Sequence, residues 1–168
     1  MNENTHQKTT QLEPAYNSRE SRMIRGRAKY LDFLSRNGGW VTCEKYAAMT
    51  GVEPNVVYER VNAHELITVS VDGEIQIPLF QFDSERNEEL QGLAEINKVL
   101  LGVKQISNSS AVTWWLSGDC RRRLLLAENE EDREKIYSNL MMKAGMVGEM
   151  GIGSLVGSLK GALLNKSN

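Results

Sequence analysis

Two cysteines, Cys43 and Cys120, are all that the 168 residues contain, so no disulfide framework can be built. Together with His6 and His64 they match no zinc-binding spacing, and no metal site is expected. Catalytic signatures are missing as well. No glycine-rich phosphate loop runs into a Lys-Ser or Lys-Thr pair, no His-Glu-x-x-His motif occurs, and no nucleophile stands beside a base. The chain is therefore expected to be no enzyme, with no catalytic residue and no cofactor. No apolar run approaches the roughly 20 residues a membrane span requires. In the glycine-rich tail, Glu149 and Lys160 cut the apolar stretch short. The first twenty residues lack the apolar core of a signal peptide, and the expected location is the cytoplasm. Positive charge is not in excess either: the formal net charge is −2, so any nucleic-acid binding must come from local patches.

The informative stretch is Val41 to Phe82. Thr42 is placed to cap a short helix from Cys43 to about Thr50, with Tyr46, Ala47 and Thr50 along one side. Gly51 stands where the chain must leave that helix, in the left-handed conformation. Pro54 suits the first turn of a second helix reaching Ala63, because its missing N–H costs nothing there. Val57 and Val61, four apart, make one side apolar, and Leu66 closes the group. Two short helices around a Gly-containing turn make a helix-turn-helix. Ile67, Val69 and Val71 then alternate with Thr68 and Ser70, and Ile75 and Ile77 alternate again after Asp72-Gly73. A three-residue loop, Asp72 to Glu74, would set Val71 against Ile75 and Val69 against Ile77. That register is favoured, since a slip of one residue turns the apolar set outward. Helices and hairpin together predict a winged helix-turn-helix.

These residues carry a family resemblance. Gly51-Val52, Val57, Val61 and Leu66, with the strand pair ending Ile77-Pro78-Leu79-Phe80-Gln81-Phe82-Asp83, resemble bacterial DNA-binding proteins of the antitoxin type. In those proteins a helix-turn-helix half runs through a Pro-x-Phe-Gln-Phe junction into a helical domain of the Xre/MbcA/ParS class. The resemblance covers roughly residues 30 to 140, and Gly92-Leu93-Ala94-Glu95 and Trp114-Trp115-Leu116 fit it. It departs after Leu116, where the family continues with an Asn and a Gly-Gly-x-x-Pro turn. This chain carries Ser117-Gly118-Asp119-Cys120-Arg121-Arg122-Arg123 instead. The resemblance implies DNA binding and, as the family often supports, capture of a toxin.

The expected fold class is mainly α: a winged helix-turn-helix followed by a helical interaction domain. Residues 1–16 are polar and read as a disordered arm. Residues 17–83 make the DNA-binding domain, 84–144 a helical interaction and dimerisation domain, and 145–168 a Gly-rich amphipathic tail. Between Asn17 and Arg36, Arg19, Arg22, Arg25, Arg27, Lys29 and Arg36 meet only Glu20 and Asp32. Met23, Tyr30, Leu31 and Leu34 recur there at helical spacing, and Gly38-Gly39 ends the run. Its basic side is either a solvated face or a set of phosphate contacts.

On the second helix, Asn55, Val56, Tyr58, Glu59 and Asn62 point outward. Asn55 suits adenine, Glu59 a cytosine amino group and Val56 a thymine methyl. The DNA-binding set is thus Arg22, Arg25, Lys45, Asn55, Tyr58, Glu59, Arg60 and Asn62, with Arg22, Arg25, Lys45 and Arg60 meeting phosphates. His64 is expected as an exposed turn residue.

In the second half, Asp83 to Glu89 reads as a polar linker. Leu93, Ile96, Val99 and Leu100 form a helical face ended by Gly102. Ser109 or Ser110 is placed to cap the next helix, whose Val112, Trp115 and Leu116 point inward. Adjacent Trp114 and Trp115 cannot both face one core, so either one anchors a partner or the helix is buried on two sides. Arg121-Arg122-Arg123 is expected to pair with Glu128, Glu130, Glu131 and Asp132. Ile136, Tyr137, Leu140 and Met141 make a last amphipathic helix, Glu130 to Ala144. In the tail, Gly153-x-x-x-Gly157-x-x-x-Gly161 lines up three glycines, and Leu155, Leu159 and Leu163 repeat every four residues.

The function these features predict is transcriptional regulation by a homodimer on a palindromic site in double-stranded DNA. The alternative is an antitoxin-like interaction protein that masks a toxin or host factor, its partner being co-encoded.

Overall fold

The computed structural model describes residues 18–148, and their architecture is mainly helical. The proposed N-terminal arm and the glycine stripe of the tail lie outside the described residues. Helix α1 spans Arg19–Arg36, begins on the Ser18 hydroxyl, which accepts from the Ser21 amide, and ends as Gly39 N–H returns to the Leu34 carbonyl. Strand β1 (Trp40–Thr42) leads into α2 (Cys43–Thr50) and α3 (Pro54–Asn62). The Thr42 hydroxyl accepts from the Lys45 amide, Gly51 is left-handed, and Pro54 opens α3, each as expected from the sequence. Val57 is fully buried, with Tyr46, Ala47 and Leu66 around it. His64 is exposed and ends α3 in a left-handed conformation, φ 61°; Glu65 N–H reaches the Arg60 carbonyl and His64 N–H the Val61 carbonyl.

Strands β2 (Val69–Val71) and β3 (Glu74–Pro78) complete a three-stranded antiparallel sheet in the order β1-β3-β2. The register differs from the expected one. Val71 faces Glu74, Ser70 faces Ile75 and Val69 faces Gln76 across a two-residue Asp72-Gly73 turn. Both turn residues have positive φ, 50° and 80°, the geometry that matches the twist of paired strands. The expectation assumed a sheet buried on one face. In fact the base of the hairpin is buried on both faces, through Val69 and Ile77, and Ile75 near the tip is 52% exposed. A shift by one residue therefore has little apolar surface to lose.

A 3₁₀ turn, Leu79–Gln81, leads into β4 (Phe82–Asp83), which pairs with β5 (Glu88–Glu89). The expected polar linker is thus a small hairpin, closed by the buried Asp83 carboxylate, which accepts from the amides of Glu85 and Arg86. Helix α4 (Leu93–Asn97) runs into a π-helical stretch, Lys98–Val103, so Gly102 does not end the helix. The wider turn lets consecutive Leu100 and Leu101 both be buried. Helix α5 (Asn108–Ser117) starts on the Ser107 hydroxyl and not on Ser109 or Ser110. Helices α6 (Cys120–Leu125) and α7 (Glu130–Gly145) follow, the latter capped by Asn129 with three acids in its first turn.

The sequence boundary near residue 83 is not a break in packing, because one hydrophobic cluster runs through both halves. Polar groups tie them as well. The Gln81 amide, fully buried, accepts from the Ile67 amide at 2.8 Å and donates to the carbonyls of Ile67 at 2.9 Å and Pro78 at 3.1 Å. Asn97 donates to the Glu65 carbonyl and to Gln81 Oε1, and its own Oδ1 accepts from Trp115 Nε1 at 2.9 Å. Around the rim, Arg60 grips Glu89 with both terminal nitrogens and donates from Nε to Glu65, which also holds Lys98 at 3.0 Å.

Burial works against the Glu65 charge, but the hydrogen bonds from Lys98 and Arg60 outweigh it, and the carboxyl titrates below its ordinary 4.5. A lowered carboxyl contributes stability in full above its unfolded value and loses it as pH falls through the folded one. Thermal melts should thus weaken as pH drops below 4.5, and Glu65→Gln should flatten that part of the profile. An unchanged acid limb in the variant would show that Glu65 carries none of the dependence.

Candidate nucleic-acid interface

The turn Gly51–Glu53 sets α3 beside α2, and burial of Val57 fixes which side of α3 meets solvent. Asn55, Tyr58, Glu59 and Asn62 are all exposed on it. They differ in freedom. Tyr58 Oη donates to Glu44 Oε1 at 2.9 Å, holding the ring against α2. That bond pushes the Tyr58 hydroxyl up to about 12; Glu44 is lowered by its own amide in the first turn of α2 and then by Tyr58. The side chains of Asn55, Glu59 and Asn62 make no hydrogen bond or ion pair among the described residues. At Tyr58 an open groove of about 480 Å³ is lined by Thr42, Glu44, Tyr58, Gly73, Glu74 and Ile75, between α2, α3 and the hairpin tip.

The charge on this face is mixed. Glu44, Glu53, Glu59 and Glu74 are exposed around α3, against the exposed Lys45. Arg60 is not available to phosphate: four-fifths of its side chain is covered and it is held by Glu89 and Glu65. The bidentate grip raises its pKa further. Arg22 is exposed and Arg25 half-buried on α1, and Arg27 donates to the Ser70 carbonyl, fastening α1 to β2. The sequence reading gave Glu44 and Glu74 no role at this face, and Arg27 only that of one basic residue among several on α1. Glu44 lies 14 residues from Tyr58 and Arg27 43 from Ser70, and no local pattern links such pairs.

In the second half Trp115 is fully buried and bonded to Asn97, so it cannot anchor a partner as proposed from sequence. Trp114 is half-buried and packs edge-on against it at 5.2 Å, the arrangement of a helix covered on two sides. The three arginines do not pair with the acidic run. Arg121 Nε donates to the Phe80 carbonyl at 2.6 Å, Arg123 to Asn139 Oδ1 at 3.1 Å, and Arg122 is exposed. The acids Glu130 and Glu131 instead hold Arg133 and Lys135. Met23 is 65% exposed and lies outside the core its spacing suggested.

Among the described residues no group of three His, Cys, Asp or Glu could hold a metal ion, and no helix is long and apolar enough to cross a membrane. Cys43 and Cys120 are both buried and unpaired, and burial raises both thiols. Comparison with protein-family models, curated proteins and solved structures finds no match for this chain.

Proposed function

We propose that residues 17–83 form a winged helix-turn-helix and that the protein is a sequence-specific regulator of transcription, acting as a homodimer on double-stranded DNA in the cytoplasm. The order helix, strand, helix, helix and hairpin supports this reading, with α3 as the recognition helix and β2–β3 as the wing. The observation that carries it is the exposed, uncommitted trio Asn55, Glu59 and Asn62 on α3, each one turn from the next. Asn55 pairs with adenine and Glu59 accepts from cytosine, while Arg22, Arg25 and Lys45 meet phosphates. The carboxylates around α3 repel DNA, so base contacts there bias the choice of site and the α1 arginines supply attraction.

Selection of fragments from a random duplex pool tests this. Wild type should enrich one palindromic site. Asn55→Ala should lose roughly 1–3 kcal/mol on it and relax the preference at one base pair. Arg22→Ala should weaken selected and scrambled DNA alike. If the preference survives Asn55→Ala, α3 is not the reader.

One observation favours a second reading. Four carboxylates, Glu44, Glu53, Glu59 and Glu74, suit a basic protein partner better than a phosphate backbone. An antitoxin-like module that masks a co-encoded toxin or a host factor would use them so. Tight complex formation with such a protein and no enrichment of DNA would select it.

A further inference from the structure

Helix α1 is covered mainly over its C-terminal half. Leu34 is fully buried near its C-terminal end, and Tyr30, Leu31 and Phe33 rest against the core. The same stripe continues at helical spacing through Arg27 and Met23 to Glu20, with Ile24 on its edge. There the cover stops. Met23 is 65% and Ile24 63% exposed, and Glu20 and Arg27 are exposed with them. Among the described residues, a core-facing stripe that leaves two large apolar side chains in water has no partner to complete it.

Its charges say what completes it. If two copies of α1 pair antiparallel about a two-fold axis between positions 23 and 24, Met23 of one meets Ile24 of the other. Glu20 of each then meets Arg27 of the other, at both ends of the contact. The stripe is thus its own complement in apolar surface and in charge, which is what a two-fold interface demands. The bond from Arg27 to the Ser70 carbonyl leaves other guanidinium N–H groups for a carboxylate. Arg22 and Arg25 leave α1 on its other sides. We propose that Glu20, Met23, Ile24 and Arg27 form the homodimer contact, with a second copy of this chain as the occupant. This names the dimer that the regulator reading requires, but does not depend on DNA.

Sedimentation of the full chain without DNA tests it. Wild type should show a reversible dimer. Glu20→Arg and Arg27→Glu should each weaken it about tenfold, because like charges then face each other twice. The double variant Glu20→Arg/Arg27→Glu restores both pairs and should recover dimerisation. An equimolar mixture of the two single variants should recover it too, as a heterodimer. Thermal melts keep a folding defect apart from a lost contact. A monomeric wild type, single variants that dimerise normally, or no recovery in both the double variant and the mixture would overturn the proposal. A dimer that behaves as described but binds no DNA supports the contact and removes only the regulator reading.

Discussion

Replacing Gln81 with Leu is expected to cost roughly 3–5 kcal/mol of folding stability. Leucine nearly matches the volume, so the change is one of hydrogen bonds. The Gln81 amide serves as a short length of strand for Ile67, satisfying its N–H and its C=O at once, and it also takes the Pro78 carbonyl. Leucine leaves these backbone groups buried with no partner and no water to replace it. Asn97 loses one of its two acceptors at the same time, which loosens the Trp115 indole it holds. Denaturant unfolding followed by Trp fluorescence measures the loss. A midpoint close to wild type would mean that Ile67 and Pro78 find other partners and that the network is not the tie between the two halves.

The second large effect is expected at Gly92. Its φ is 72°, and a Cβ there would stand 2.1 and 2.2 Å from two ring carbons of Tyr137. Gly92→Ala therefore meets two separate costs, the left-handed backbone and the collision of α4's N-cap residue with Tyr137 of α7. Together they should remove roughly 2–4 kcal/mol. The two costs can be separated, because only one involves the ring. In Gly92→Ala/Tyr137→Ala the collision is gone and only the backbone cost remains, so the double variant should lose less than the sum of the singles. Simple additivity would show that Tyr137 turns aside freely and that the close approach does not constrain α7.

The sequence was most legible where the signal was local. Thr42, Gly51 and Pro54 act on groups within one turn of themselves, and each stands where that chemistry places it. The alternation of Val57 with exposed Asn55, Tyr58 and Asn62 likewise follows from helical spacing alone. Legibility failed where the deciding partner was distant. Ile77 answers to Val41 on β1, so the hairpin's register is set partly by a strand that the Asp72-Gly73 pattern cannot report. Ser107 caps α5 because Ile106 bends back to the Leu100 carbonyl, a turn shaped by the preceding π-helical stretch. Arg60 reads as one more basic residue on a recognition helix until Glu89, 29 positions away, is brought beside it. Gln81 was part of a recognised motif, yet nothing in the motif says that its amide completes the backbone of Ile67.

For the site, residue types and exposure were legible and competition was not. Tyr58 is exposed as expected, but Glu44 already occupies its hydroxyl, and the rim of carboxylates comes from four separate places in the chain. The exposed side of α3 that is free of other bonds is consequently narrower than the sequence suggested, Asn55, Glu59 and Asn62 rather than the full set.

Binding of wild-type protein to its selected duplex and to a scrambled duplex, titrated over a range of salt, tests sequence-specific DNA binding most directly. The account predicts a preference for the selected duplex that persists as salt rises, while affinity for both falls with a common slope set by the few α1 and α2 cations. No binding to either duplex at low salt, or equal binding to both, would contradict it.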